Sequence, residues 1–231
     1  MTIKYHNDID QNTPEWFALR CGVVTASVVK MLLTSKFKIA DNDTVRQMSY
    51  EFAAQREMNH VEPTFQTYQM ARGHLEEVLA RDIYNDNYSP VKECGFVTNN
   101  KNGMIVGYSP DGLVSDDGLI EIKSRIQKYQ VKTIIDQIVP SEYMIQHQVG
   151  IYVTERKWCD FVSYSNGMPF FVKRVEPIAE LQEIIKTAIE LFYARVDAIQ
   201  VDYRKLSSEL VKADRVTLDF DDNIQASEEG K

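Results

Sequence analysis

The sequence lacks several features that would by themselves assign a protein to a class. Its 231 residues contain only three cysteines, Cys21, Cys94 and Cys159, which lie far apart and form no Cys-x-x-Cys pair. They are too few for a four-cysteine zinc or iron–sulfur site, and we expect them to be reduced. No apolar run reaches the length of a membrane span, and the first ten residues lack a signal-peptide pattern. We therefore expect a cytoplasmic protein that does not associate with a membrane.

An excess of positive charge, the usual electrostatic signature of a nucleic-acid-binding protein, is also missing. The formal net charge is −8 at pH 7, which by itself argues against such a partner. However, the segment from Asp219 to Lys231 contains five acidic residues and one basic residue, so it alone contributes −4. The charge of the remainder neither indicates nor excludes a nucleic-acid partner. We predict a single domain over residues 1–206 and an extended or disordered acidic tail over residues 207–231.

The hydrophobic periodicity predicts a mixed α/β (α+β) fold, with a central mixed sheet flanked by helices. Predicted strands cover VKECGFVT (91–98), MIVGY (104–108), LIEIK (119–123), WCDFVSYS (158–165) and PFFVKRVE (169–176). Predicted helices begin near residues 26, 44, 66, 127, 141 and 177, and the helix from 141 is predicted to have Ser141 as its N-cap.

The strand LIEIK carries the strongest chemical signal. Alternation places Glu121 and Lys123 on one face, while Ile120 and Ile122 point into a core. Leu119 is expected to be partly exposed. A Glu-x-Lys tripeptide is common on solvated strand faces, so by itself it is weak evidence for function.

The surrounding residues strengthen that signal. The strand over residues 104–108 and the turn over residues 116–118 predict a hairpin that brings Asp111 beside Glu121. Two carboxylates on neighbouring strands suit Mg²⁺, and Lys123 lies close enough to hold a water or neutralise charge. This combination is typical of phosphodiester hydrolysis.

A second candidate site lies near the N-terminus. Thr25 is a plausible N-cap for a helix beginning at Ala26, which places Ser27 in the first turn. Arg20 precedes it, so Arg20 and Ser27 could flank a phosphate. The alternative is a surface arginine beside an ordinary helix start.

Other charged residues are harder to assign. Gly73 within a predicted helix hints at close backbone approach. Glu76 and Glu77 project about 100° apart, so at most one faces a shared site; both could instead form a solvated face. Arg125 and Lys128 follow the Glu-x-Lys strand and could reach a bound phosphate.

Taken together, residues 14 to 175 resemble the PD-(D/E)xK nuclease superfamily, and within it the YqaJ-type, lambda-exonuclease-like viral recombinase family. The resemblance depends on five motifs in order: WFALRCGVVTAS (16–27); Arg72-Gly73 with Glu77; Ser109-Pro110-Asp111-Gly112; Glu121-Ile122-Lys123; and Tyr143 to Gln148 with Tyr152 to Thr154.

The resemblance implies a restriction-endonuclease-like core and a metal-dependent 5′→3′ exonuclease that acts on double-stranded DNA ends and leaves 3′ overhangs. It further implies a homotrimeric ring, a single-strand annealing protein as partner, and a phage or prophage origin in a bacterial host.

The resemblance also implies roles for the metal-site residues. Asp111, Glu121 and the Ile122 carbonyl would bind Mg²⁺, or Mn²⁺ in its place. Lys123 would act on the attacking water, and Glu77 would assist at the metal–water shell.

For the terminal 5′-phosphate, the resemblance implies binding by Arg20, Ser27 and Ser109, together with Arg125 or Lys128. Gln146 and Gln148 would be supporting residues. The family usually continues Glu-x-Lys with Cys-Pro, whereas Ser124-Arg125 stands here, which leaves the basic residue open.

Two alternatives share the central residues. A RecB-like or restriction-type endonuclease would need Asp111, Glu121 and Lys123 but not the Arg20–Ser27 pocket. A non-catalytic DNA-end-binding subunit is disfavoured because all three central residues are present.

Overall fold

Nine strands in two mixed sheets and seven helices make up the part of the chain described by the computed structural model. The described residues are 2–62, 68–101 and 103–215, with residues 68–71 described by their backbone only. The mixed α/β class predicted from the sequence is confirmed, although two sheets replace the single predicted sheet.

The element bounds are as follows. The strands are β1 (Thr2–His6), β2 (Val24–Thr25), β3 (Val91–Lys92), β4 (Phe96–Lys101), β5 (Met104–Tyr108), β6 (Gly112–Val114), β7 (Gly118–Ser124), β8 (Trp158–Tyr164) and β9 (Phe171–Val175). The helices are α1 (Pro14–Arg20), α2 (Ala26–Leu32), α3 (Asp43–Met58), α4 (Tyr68–Asn87), α5 (Gln127–Asp136), α6 (Ser141–Thr154) and α7 (Ala179–Ser207).

The smaller sheet has the order β1-β4-β5-β2 and the larger sheet the order β3-β6-β7-β8-β9. Strand β7 runs between β6, its antiparallel neighbour, and β8, its parallel neighbour. With neighbours on both edges and cores on both faces, β7 is buried from Gly118 to Ile122 and partly exposed at its last two residues. Leu119 is accordingly fully buried in the core that includes α6 and α7, so the prediction of partial exposure is wrong.

The two faces of β7 contact different cores. Ile120 and Ile122 pack with Ala80 and Tyr84 of α4. Leu119 lies on the opposite face, and the period of two places Glu121 and Lys123 on that same face. The predicted alternation is therefore confirmed.

The hairpin was predicted with the wrong partner strand. Strand β7 pairs with the three-residue β6, with Gly112 opposite Ile120, whereas β5 pairs with β4 and β2 in the other sheet. Ser109 and Pro110 lie between β5 and β6, where the chain passes from one sheet to the other. Asp111 immediately precedes Gly112, so it still lies beside Glu121.

The predicted strand over residues 91–98 is also split between the sheets, into β3 and β4. The break lies at Gly95, where an added Cβ would be 1.6 Å from the Ile9 carbonyl oxygen. The strand is interrupted where the backbone packs closely against the N-terminal segment.

Helix boundaries differ slightly from those predicted. Pro140 occupies the N-cap position of α6, and Ser141 is its first helical residue. The final helix continues to Ser207. The predicted start of α4 near residue 66 lies outside the described residues.

Residues 1–200 form one unit and residues 201–231 a second. In the second unit, residues 201–207 are helical and residues 216–231 lie outside the described part of the chain. The predicted boundary at 206 and the predicted tail stay predictions. No helix among the described residues has the length and apolarity needed to cross a membrane, and all three cysteines are free thiols.

Candidate active site

A cleft of about 780 Å³ opens where the C-terminal end of β5 and the strands β6 and β7 meet α4 and α6. Most of the predicted site residues line it: Arg20, Ser27, Glu77, Ser109, Asp111, Glu121, Ile122, Lys123, Arg125 and Gln146. Lys128 and Gln148 are not among its lining residues.

The carboxylate pair is positioned by backbone pairing. The β6–β7 register sets Asp111 next to Glu121, and Asp111 Oδ2 accepts a hydrogen bond from the Ile122 amide at 2.6 Å. Within a strand, the N–H and C=O of one residue point to the same edge. The Ile122 carbonyl therefore points toward the edge on which Asp111 lies.

Asp111 and Glu121 are two acidic groups held close together in a buried position. Burial raises the pKa of Asp111 well above its usual range, and the negative charges of Glu121 and Glu77 raise it further. A divalent cation would offset this repulsion, and oxygen ligands alone are what Mg²⁺ prefers. The described residues contain no cluster of three His, Cys, Asp or Glu side chains arranged to hold a metal. The oxygen donors that lie together here are the carboxylates of Asp111 and Glu121 and the Ile122 carbonyl.

Glu121 is 1% exposed and receives three hydrogen bonds. Lys123 Nζ lies 2.6 Å from Glu121 Oε1, and Gln146 Nε2 donates to the same oxygen. The Tyr108 hydroxyl donates to Oε2. Burial disfavours the charged form of Lys123, but Glu121 and Asp111 outweigh it and raise the pKa of Lys123. A raised pKa favours the charged form of the lysine, which suits it to charge neutralisation.

Glu77 enters the cleft from α4. Arg81 holds it by an ion pair of 2.6 Å and also donates to the Asp111 carbonyl at 2.8 Å. Burial raises the pKa of Glu77, although Arg81 opposes the rise. Glu76, one residue earlier, accepts a hydrogen bond from Ser124 instead. Only one of the two adjacent glutamates therefore points to the carboxylate pair, as the helical rotation predicts.

Arg20 lines the same cleft. Its guanidinium stacks 4.0 Å above the Trp16 ring and donates to Ser109 Oγ at 3.4 Å and Thr25 Oγ1 at 3.5 Å. Burial lowers the pKa of Arg20 to about 10, so it stays charged at neutral pH. Among the described residues no carboxylate pairs with it. Thr25 Oγ1 in turn lies 3.0 Å from the Ser27 hydroxyl.

The structure separates the two basic candidates after β7. Arg125 is buried and donates to Tyr143 Oη at 2.7 Å and Glu142 Oε1 at 3.2 Å, at the wall of the cleft. Lys128 is exposed and lies 4.9 Å from the ring of Tyr129. Of the two, Arg125 is the one that lines the cleft.

Gln148 is placed elsewhere. It is fully buried, donates to the Glu176 carbonyl at 2.8 Å and accepts from the Ile178 amide at 2.9 Å. It therefore fixes the connection between β9 and α7, whereas Gln146 reaches Glu121. Two residues along a helix rotate a side chain by about 200°, which explains the separation.

Several functional contacts were not anticipated from the sequence. Arg81 could have been found, because it lies four residues after Glu77 on one helix face. The position of Trp16 under Arg20 could have been found in the same way, because the two residues lie four apart on α1. The contact between Tyr108 and Glu121 joins two sheets and has no local signal.

Comparisons with known proteins show the family of the chain and structures with a similar fold. The chain matches the profile of the YqaJ-like viral recombinase domain over residues 15–157. An alkaline exonuclease from Laribacter hongkongensis (LHK-Exo) is 33% identical, with a TM-score of 0.75 over 86% of this chain and 100% of that chain. The structure of LHK-Exo in complex with dAMP has the same identity and coverage, with a TM-score of 0.73.

More distant structures share the fold alone. A phage-related exonuclease from Haemophilus somnus 129PT is 13% identical, with a TM-score of 0.56 over 78% of this chain and 96% of that chain. No curated protein sequence matches the chain.

Proposed function

Since the chain belongs to the YqaJ-like viral recombinase domain family, we propose that it is a phage-type exonuclease that needs Mg²⁺ and degrades one strand of duplex DNA from 5′-phosphorylated ends. The observation that carries the proposal is the arrangement of the cleft. One cleft is lined both by an arginine without a described carboxylate partner and by a buried carboxylate pair.

The carboxylate pair and the residues around it carry out the hydrolysis. Asp111, Glu121 and the Ile122 carbonyl would hold Mg²⁺, or Mn²⁺ as a substitute. When bound, the ion polarises the phosphate and lowers the pKa of a bound water. Lys123, held as a cation by Glu121, neutralises charge that develops on the phosphate. Glu77, fixed by Arg81, accepts a hydrogen bond from the attacking water.

Arg20 and the residues around it determine the direction in which the strand is degraded. Arg20, Ser27 and Ser109 bind the terminal 5′-phosphate, with Arg125 on the adjoining wall. Anchoring that group determines which phosphodiester bond lies over the carboxylates. Cleavage then releases mononucleotides in the 5′→3′ direction and leaves a 3′ single-stranded overhang, the substrate for recombination by strand annealing.

The family membership supports two further parts of the proposal. The protein assembles as a homotrimeric ring around the duplex, and it works with a single-strand annealing protein during phage recombination in a bacterial cell. A closed ring requires head-to-tail contacts between copies, and enclosure would make digestion processive.

Digestion of linear and circular duplexes with and without Mg²⁺ tests the proposal. We expect mononucleotides from linear but not circular duplex, released faster from 5′-phosphorylated ends, and only with the metal. Asp111→Asn and Lys123→Ala should each lower the rate by about a hundredfold or more. Lys132→Ala, at an exposed lysine of α5, is the matched control and should retain the rate.

The alternatives give different results in the same assay. Cleavage of closed circles would support the endonuclease and overturn the exonuclease proposal. End binding without cleavage in any metal would support the non-catalytic subunit.

A further inference from the structure

Tyr108 makes a contact between the two sheets at the carboxylate pair. It is the last residue of β5, in the smaller sheet, and its side chain is 1% exposed. Its hydroxyl donates a hydrogen bond to Oε2 of Glu121, in the larger sheet. Because the phenol is buried, bulk water does not compete well for this hydrogen bond.

Tyr108 contacts the oxygen of Glu121 that the other donors leave free. Lys123 and Gln146 both donate to Oε1. Among the described residues, Tyr108 is the side-chain donor to Oε2. The terminal torsion of glutamate is broad and roughly two-fold. Donors on both oxygens hold the carboxylate plane in one orientation, whereas donors on one oxygen leave it free to rotate.

The packing around the ring is adapted to this contact. Gly150 lies within α6, where an added Cβ would be 2.7 Å from Tyr108 Cζ and 3.1 Å from its hydroxyl oxygen. Glycine in a helix interior is less stable than alanine. The missing Cβ at this position therefore leaves the space through which the tyrosine reaches Glu121.

We propose that Tyr108 is a positioning residue for Glu121: its hydroxyl orients the buried carboxylate so that it receives the divalent cation. The inference depends on the proposed function, because it assigns to Glu121 the role of a metal ligand. Residues that orient ligands in this way change metal affinity or activity by about 10- to 100-fold when altered.

The direct test is Tyr108→Phe, which keeps the ring and removes only the hydroxyl. Mn²⁺ affinity, measured by titration calorimetry in the absence of DNA, should weaken about tenfold or more. The kcat on linear duplex should fall while KM for DNA stays unchanged, because Tyr108→Phe does not alter Arg20 or its contacts. A merely structural hydroxyl would lower thermal stability and leave Mn²⁺ affinity unchanged.

The matched control is Tyr84→Phe. Tyr84 is also buried, and its hydroxyl donates at 2.8 Å to Asp160, a buried carboxylate outside the cleft. This variant loses the same kind of hydrogen bond and should retain the Mn²⁺ affinity of the wild type. Mn²⁺ affinity of Tyr108→Phe within about threefold of wild type would overturn the inference.

Gly150→Ala provides a second, independent variant. It keeps the hydroxyl but displaces the ring, so it should weaken Mn²⁺ binding as Tyr108→Phe does. Weakening by Gly150→Ala alone would mean that packing, not the hydroxyl, matters, and would overturn the inference. If wild type binds Mn²⁺ and digests DNA while both variants match it, only the inference fails. If wild type does neither, the proposed function fails as well.

Discussion

Loss of the Arg20 side chain should remove the preference for phosphorylated ends. The guanidinium contacts two neutral hydroxyls at 3.4 Å and 3.5 Å, so it keeps donors for an incoming anion. A terminal phosphate carries more negative charge than an internal diester, and a planar fork binds its oxygens well. Arg20→Ala should therefore slow digestion of 5′-phosphorylated duplex much more than digestion of 5′-hydroxyl duplex.

The magnitude follows from the charge of the lost donor. A hydrogen bond to a charged group contributes about 1.5–3 kcal/mol, which corresponds to about tenfold to somewhat over a hundredfold in rate. The cation–π contact with Trp16 at 4.0 Å is lost too, but it affects both substrates equally. The ratio of the rates on the two substrates therefore isolates the phosphate contact.

Initial rates of nucleotide release on the two matched duplexes measure this ratio. Arg20→Lys should recover only part of the preference, because an ammonium lacks the fork. Arg46→Ala, at an exposed arginine paired with Asp41 and Asp43, should behave as wild type. Equal rates of wild type on both ends, or a preference retained by Arg20→Ala, would refute the reasoning.

Three further predictions concern stability and assembly. Leu119→Ala should lower the free energy of unfolding by about 2–5 kcal/mol, while Leu206→Ala, at a 74% exposed position, should change it little in the same urea titration. Burial lowers the pKa of His147, although the negative charges of Glu121 and Asp160 oppose this shift. The imidazole is therefore protonated near pH 6.5 in the unfolded chain and only at lower pH in the folded chain. The stability contribution of neutral His147 is therefore complete above about pH 6.5 and is lost as the pH falls below it; urea midpoints between pH 7.5 and 5.5 should fall more steeply in wild type than in His147→Gln, and equal slopes would contradict this. Light scattering should give the mass of three copies, and a monomer at all working concentrations would remove the ring from the proposal.

Local sequence patterns predicted the residues of the site better than they predicted which strands pair in the two sheets. The alternation from Leu119 to Lys123 was enough to identify a strand and its two faces, because side-chain direction has a period of two in any strand. The turn before Gly118 indicated a hairpin, but a turn signal does not identify which strand pairs with which. Strand β6, only three residues long, was therefore missed, and β5 was given its place.

Burial and partner choice also depended on the fold. Gln146 and Gln148 are two glutamines on one predicted helix, and the local sequence does not distinguish their roles. In the structure, Gln146 reaches Glu121 and Gln148 fixes the β9–α7 connection. Arg125 and Lys128 were likewise indistinguishable until the packing of α5 and α6 buried one and exposed the other.

The sequence by itself determined the family, the strand that carries Glu121 and Lys123, and the nearness of Asp111, because each of these follows from motif order or from neighbours within about ten residues. The tertiary structure alone decided that Tyr108 contacts Glu121 across two sheets and that Arg20 reaches Ser109 without a described carboxylate partner. Such contacts bring together elements with no hydrogen-bonded ladder between them. Their geometry depends on how the sheets and helices pack, and packing is a property of the whole chain that no local pattern records.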